Sequence, residues 1–294
     1  MSPPPAPLVR DIVRQALTED LAYGDVTTSV LFPKSRGARA TIVARQEMVA
    51  AGIAVAREVF LAVDSTLTVR CPVRDGQSLG PSTTLLVAEG DGRALLMAER
   101  VALNFLQRLS GIATLTRRFC LAVRRFPTRI LDTRKTTPGL RILEKWAVRL
   151  GGGSNHRFSL SDGLLIKDNH LALLRADGIS LRDACRQARA NGPHGIRVIV
   201  EAQTLADVTE ALKGAADVIL LDNMSPSLVR KAADMIKGRA LIEVSGGITL
   251  ANAEAMARAG ADFLSIGALT HSAPAADLSM DLRATGRRIG SARK

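Results

Sequence analysis

The chain has 294 residues, is 47% hydrophobic but only 3% aromatic, and carries a formal net charge of +12. That length and apolar content allow a substantial core, in one large domain or two modest ones, filled with Leu, Val, Ile and Ala as in α/β proteins. No apolar run is long enough to cross a bilayer, and Cys71, Cys120 and Cys185 show neither paired nor metal-ligand spacing, which points to reduced thiols.

The opening MSPPPAP reads as a short disordered lead without the order of a signal peptide. A soluble, cytoplasmic protein is expected. Turn chemistry follows at Tyr23-Gly24-Asp25, then a strand at 40–45 and a helix at 54–60. Two further strands, 67–71 and 84–88, flank a loop containing Asp75-Gly76 and Gly80-Pro81. Leu95, Ala98, Ala102, Phe105, Leu106 and Leu109 then form one apolar helical face over 94–109. Gly111 is expected to end or bend that helix before a second one at 114–124.

From Arg129 onward, short apolar runs alternate with helical stretches, and each run ends in polar or glycine residues. Ile130-Leu131 leads to Asp132, Thr133, Arg134 and Lys135. Leu164-Leu165-Ile166 leads to Lys167, Val198-Ile199-Val200 to Glu201, and the run 218–221 to Asp222. The run 241–244 leads to Ser245-Gly246-Gly247, and 263–266 to Gly267-Ala268. Such runs suit strands buried on both faces of a parallel sheet. Between them, Leu140, Leu143, Ala147 and Leu150 mark a helix capped by Gly151, and Ser225-Pro226 opens another. No Gly-x-Gly-x-x-Gly follows any strand, so a β/α barrel is favoured over a dinucleotide-binding sheet. In a barrel all these strand ends meet at one mouth.

The converging residues combine cations, two carboxylates and two glycine turns. The turns at Ser245-Gly246-Gly247 and Gly267-Ala268 suit a phosphate held by backbone N–H groups at helix N-termini. Arg134-Lys135 and a flexible loop ending in Asn155-His156-Arg157 suit carboxylates. Glu201 and Asp222 fit acid–base groups, hydroxyl binders or magnesium ligands, or they simply neutralise Lys135 and Lys167. His156 reads equally as a loop hydrogen-bonder. The +12 charge would also suit nucleic acid, but basic residues form no long run and stacking aromatics are nearly absent.

The stretch LDTRKTTPGLRILEKWAVRLGGGSNHR (131–157) resembles the signature of quinolinate phosphoribosyltransferases. So do LLIKDNH (164–170), LLDNMSP (220–226), SGGIT (245–249), SIGALTHS (265–272), ALTEDLAYGDVTT (16–28) and AERVALNFLQRLSGIAT (98–114). The resemblance covers nearly the whole chain. It implies an α/β fold of two parts: an α/β sandwich from 1–110 completed by 272–294, and an incomplete β/α barrel at 111–271. It further implies transfer of phosphoribosyl from phosphoribosyl pyrophosphate to quinolinate with decarboxylation, in a homodimer with shared sites. Quinolinate would be held by Arg134, His156, Arg157 and Lys167, with Thr133 nearby and Arg100 from the partner chain. Lys135, Glu201, Asp222, Ser245, Gly246, Gly247, Gly267 and Ala268 would take the phosphoribosyl pyrophosphate. Mg2+ would be held by Glu201 and Asp222, partly through water and substrate. Lys135, Lys167, Glu201 and Asp222 are the expected catalytic residues. One departure stands at Ile199, where the family often has a second acid on the face of Glu201. A molybdenum-transport-associated paralogue and another sugar-phosphate barrel enzyme are the rival readings, and an anion- or nucleic-acid-binding protein without catalysis is the third.

Overall fold

A computed structural model describes residues 3–285. Met1 and Ser2, from the expected lead, and residues 286–294, from the expected completing tail, lie outside the described residues. The lead ends earlier than expected, because Pro5 already caps a helix. In chain order the first elements are α1 (Ala6–Leu21), α2 (Val26–Leu31), β1 (Gly37–Ala44), β2 (Met48–Val49), α3 (Ile53–Val63) and β3 (Thr68–Arg70). Next come β4 (Ser78–Leu79), β5 (Thr84–Asp91), α4 (Gly92–Ala122), β6 (Arg129–Leu131), α5 (Arg141–Leu150) and β7 (Leu164–Ile166). Then follow α6 (Asp168–Ala176), α7 (Leu181–Asn191), β8 (Val198–Ala202), α8 (Leu205–Lys213), β9 (Val218–Asp222) and α9 (Pro226–Ile236). The last are β10 (Leu241–Ser245), α10 (Ala253–Arg258), β11 (Phe263–Ser265), α11 (Ala268–His271) and β12 (Leu278–Ala284).

Two compact units result. One comprises the residues up to Arg117, 137–152 and those from Thr270 onward; the other comprises 118–136 and 153–269. The first unit holds an antiparallel sheet in the order β12-β1-β5-β3. The late strand β12 pairs along β1 from Ala44↔Leu278 to Ala38↔Ala284, so the C-terminal segment completes a sheet begun near the N-terminus. Ala40, Ile42, Leu86 and Ala88 of that sheet are fully buried, as are Val59 and Phe60 of α3 and Leu95, Ala98 and Leu106 of α4.

The expected break at Gly111 does not occur: α4 runs unbroken through it. Glycine is required there for another reason. A Cβ at 111 would stand 2.1 Å from the carbonyl oxygen of Pro274, so the glycine admits a close backbone approach. The first unit also claims 137–152, which the sequence boundary at 110/111 had grouped with the barrel. The cause is a buried carboxylate. Glu144 on α5 is fully buried and accepts from Arg108 Nε at 3.0 Å and Nη2 at 2.8 Å. The Thr137 N–H and hydroxyl donate to it as well, at 3.1 and 2.8 Å. Arg108 also donates to the Thr270 carbonyl, tying α4, α5 and the start of the C-terminal segment together.

The second unit is a parallel sheet of six strands in the order β6-β11-β10-β9-β8-β7. It is an incomplete barrel, because β6 and β7 form its two edges and do not pair. Strands β9 and β10 are largely buried, as their unbroken apolar runs require. Edge strand β7 is only half-buried, having no neighbour on its far side. Ser180, Thr204 and Ser225 cap α7, α8 and α9 with side-chain oxygens, so each crossover helix starts where the sequence places a capping residue. Among the described residues no helix is long and apolar enough to cross a membrane.

Removing Glu144 would leave Arg108 without its buried counter-charge. Glu144→Ala is expected to lower the unfolding free energy by about 3 kcal/mol, measured by denaturant titration. A change within experimental error would show that the pair does not hold the first unit together.

Candidate active site

The strand register aligns the polar ends of the second unit. Asp222 on β9 lies opposite Ser245 on β10, and Ser245 opposite Ser265 on β11. Glu201 on β8 is half-buried on the same face as Ile199, between buried Val200 and Ala202. Burial pushes the Glu201 carboxyl above its ordinary range, and the neighbouring Asp222 charge adds to the rise. Lys167 and Lys135 act in the opposite direction, and Asp168 reinforces the rise. Residues at or just after the ends of β6, β7 and β9 are therefore within electrostatic reach of Glu201 on β8. Lys167 and Lys135 are both exposed at this mouth.

Local geometry fixes several of these groups. Asn223, with a left-handed backbone (φ 55°), donates from Nδ2 to Asp222 Oδ2 at 2.8 Å and from its N–H to the Ser245 carbonyl at 2.9 Å. A Cβ at position 246 would fall 2.1 Å from Asn223 Oδ1, and Gly246 has φ 89°, so only glycine fits. Gly247, with φ 60°, has open space where a side chain would stand. The Ser245-Gly246-Gly247 turn is a bend, and α10 begins only at Ala253, so the helix N-terminus expected at this turn is absent. At the second turn it is present: Gly267 immediately precedes α11. Thr133 Oγ1 accepts from the Lys135 N–H at 3.0 Å, and His170 Nδ1 accepts from the Lys167 N–H at 2.9 Å.

The segment expected as a flexible loop is pinned along the free edge of β6. Ser154 forms a parallel bridge with Leu131, donating its N–H to the Ile130 carbonyl at 2.8 Å. Fully buried Asp132 accepts from Asn155 Nδ2 at 2.6 Å and from the His156 N–H at 2.8 Å. His156 Nδ1 accepts from the Arg157 N–H at 2.8 Å, and Nε2 lies 3.3 Å from Oε1 of buried Glu243. Ser265 Oγ donates to that same Glu243 oxygen. Arg157 donates to the Gly163 carbonyl at 3.3 Å. Burial, and then the charge of Arg134, pull its guanidinium below the ordinary arginine value. Two guanidinium groups thus stand near each other at the end of β6. A cavity of about 310 Å³ in this unit is lined by His156, Arg157, Glu243, Ile199 and Phe263 among others.

The second unit contains every expected site residue except Arg100, which is an exposed residue of α4 in the first unit. Sequence reading missed Asp132, Asn223 and Glu243. Glu243 carried a signal, since it lies two residues before Ser245 and so shares its face.

Residues 25–110 match the quinolinate phosphoribosyl transferase N-terminal domain, and 112–281 match the C-terminal domain of the same family. A Bacillus subtilis protein named probable nicotinate-nucleotide pyrophosphorylase (carboxylating) is 42% identical over 274 residues, covering 93% of each chain. A Nicotiana tabacum quinolinate phosphoribosyltransferase (decarboxylating) is 37% identical, covering 96% of this chain and 85% of its own. The solved structure of the nicotinate-nucleotide pyrophosphorylase from Francisella tularensis superposes with a TM-score of 0.89 at 36% identity, covering 95% of this chain and 97% of that one.

The raised Glu201 value has a signed consequence for stability. Ionising Glu201 costs more in the folded than in the unfolded chain, so the penalty is absent below the ordinary carboxylate range and complete above the raised value. Glu201→Gln without ligands is expected to raise Tm at neutral pH, the gain vanishing as pH falls below the ordinary carboxylate range. A Tm difference independent of pH would show that the carboxylate is not under this electrostatic load.

Proposed function

The chain belongs to the quinolinate phosphoribosyltransferase family, and on that premise we propose that it transfers phosphoribosyl from phosphoribosyl pyrophosphate to quinolinate, yielding nicotinate mononucleotide, carbon dioxide and pyrophosphate. What supports this reading is the cluster of Glu201, Asp222, Lys167 and Lys135 within electrostatic reach, with Arg134, next to Lys135 in sequence, facing the charge of Arg157. Arg134 and Arg157 oppose each other's charge and gain when an anion enters between them. A pyridine dicarboxylate suits that side, with Lys167 as a further cation and bidentate guanidinium contacts to the carboxylates. Thr133 belongs to the same wall, and His156, both of whose ring nitrogens meet protein, supports it through the Arg157 backbone. Glu201 and Asp222 suit the ribose hydroxyls, and Lys135 suits the pyrophosphate. The backbone of Ser245, Gly246, Gly247, Gly267 and Ala268 lets phosphate oxygens approach closely.

The pyridine nitrogen attacks the anomeric carbon as its bond to pyrophosphate breaks, and positive charge grows on the ribose. Glu201 and Asp222 stabilise and orient that sugar, while Lys135 neutralises the leaving group. The 2-carboxylate then departs as carbon dioxide. Its bonding pair stays on the ring beside the quaternised nitrogen, and C2 takes up a proton. No covalent enzyme intermediate is required.

Among the described residues no cluster of three or more His, Cys, Asp or Glu stands ready to hold a metal. The donor set nevertheless fits Mg2+. Two neighbouring carboxylates, Glu201 and Asp222, offer hard oxygens, and this ion commonly completes its shell with water and substrate phosphates. When bound it would supply charge neutralisation for the pyrophosphate. The working form is a homodimer in the cytoplasm, with exposed Arg100 of one chain completing the quinolinate side of the other's site. The Bacillus subtilis and Nicotiana tabacum relatives bear carboxylating and decarboxylating names, which favours this reading over a molybdenum-transport-associated paralogue or another sugar-phosphate barrel enzyme.

Carbon dioxide release from quinolinate labelled at the 2-carboxylate should require phosphoribosyl pyrophosphate. Release without it, or equal turnover of nicotinic acid, would contradict the assignment. The shared site has its own test. Arg100→Ala and Lys135→Ala should each be nearly inactive, yet co-expression should restore up to about a quarter of full activity if chains pair at random. Verified exchange without recovery, or near-normal activity of Arg100→Ala alone, would remove Arg100 from the site.

A further inference from the structure

Three buried groups form a chain of hydrogen bonds inside the barrel unit that ends on Arg157. Ser265 Oγ donates to Glu243 Oε1, His156 Nε2 faces that same oxygen at 3.3 Å, and His156 Nδ1 accepts the Arg157 N–H at 2.8 Å. Because Nδ1 is an acceptor, the ring proton sits on Nε2, where Glu243 receives it. Both ring nitrogens are thereby engaged by protein, so His156 is held as a spacer between Glu243 and the Arg157 backbone. The Glu243 side chain is 3% exposed and that of His156 9%, so water does not substitute for either contact. Asp132 fixes the other end of the same segment through the His156 N–H.

We propose that Glu243 is a positioning residue for the quinolinate side of the site: with Ser265 it fixes the His156 ring, and through it the backbone at Arg157, so that the Arg157 guanidinium stands beside that of Arg134. Hydrogen bonding to one oxygen of Glu243, rather than its charge, does this work. The proposal rests on the assignment of Arg134 and Arg157 to quinolinate.

The test is calorimetric titration of quinolinate into the full-length protein without the second substrate, with Tm measured in parallel. Glu243→Ala should weaken binding by about tenfold, the scale of one lost hydrogen bond in a buried charged network. Glu243→Gln, whose amide oxygen accepts the same two hydrogen bonds, should stay within about threefold of the unaltered protein. Adding His156→Ala to Glu243→Ala should cause little further loss, since the two act in series. Affinity for phosphoribosyl pyrophosphate should not change in any of these variants. A folded Glu243→Ala that binds quinolinate normally overturns the proposal. So does Glu243→Gln as impaired as Glu243→Ala, or a double variant with fully additive losses. Should Glu243→Ala not fold, Ser265→Ala removes one of the two hydrogen bonds, and unchanged affinity there overturns the proposal equally. Arg157→Ala serves as the reference: unchanged quinolinate affinity in that variant refutes the Arg157 assignment itself, and the positioning role with it.

Discussion

Parallel strands cannot be joined by tight hairpins; each must be followed by a crossover that returns the chain to the same starting edge. In the barrel unit this constraint delivers the C-terminal ends of β6 to β11 to one mouth, from residues separated by more than a hundred positions. The chemistry depends on it. Glu201 feels the charges of Lys135, Lys167 and Asp222 only because three crossovers bring these strand ends together. The constraint also leaves a gap. Strands β6 and β7 do not pair, so β6 presents an open edge. Ser154 occupies that edge with a single bridge, and buried Asp132 takes the next two donors from Asn155 and His156. The Arg157 side of the site is in this sense a product of incomplete closure.

Charge burial is handled in two contrasting ways. Glu144, Asp132 and Glu243 are nearly or wholly inaccessible, and each is surrounded by donors: Arg108 and Thr137, then Asn155 and the His156 N–H, then Ser265 and His156. Uncompensated, each would cost several kcal/mol or protonate. Glu201 is different. It stays partly desolvated beside another carboxylate and is held above its ordinary range. Arg157 is held below the ordinary arginine value by burial and then by the charge of Arg134. On the proposed reading, a sugar with developing positive charge would relieve the load on Glu201 and a dicarboxylate the load on Arg157.

The fold was largely legible because its signals are local. Six short apolar runs, each followed by a polar group, named all six barrel strands, and capping residues such as Ser225 named a helix start. What was missed depended on contacts distant in sequence. Gly111 looks like a breaker, and nothing nearby reveals that the Pro274 backbone packs against it in an unbroken helix. Region 137–152 follows a barrel strand in sequence, and nothing local reveals that Glu144 ties it to α4 through Arg108. Strand-end polar residues are legible by position, whereas Asp132, Asn223 and Glu243 hold other groups. Their roles appear only once Gly246 is seen against Asn223, and His156 against Glu243.

The central claim is that one mouth carries two separable sides, a guanidinium side for the pyridine dicarboxylate and a carboxylate side for the sugar and its magnesium. The most direct measurement is quinolinate affinity without the second substrate in Asp222→Ala, set beside its turnover with both substrates. The account predicts affinity within about threefold of the unaltered protein while kcat falls by about a hundredfold or more. Loss of quinolinate binding in that variant, with turnover falling only in proportion, would show that the two sides have been assigned the wrong way round.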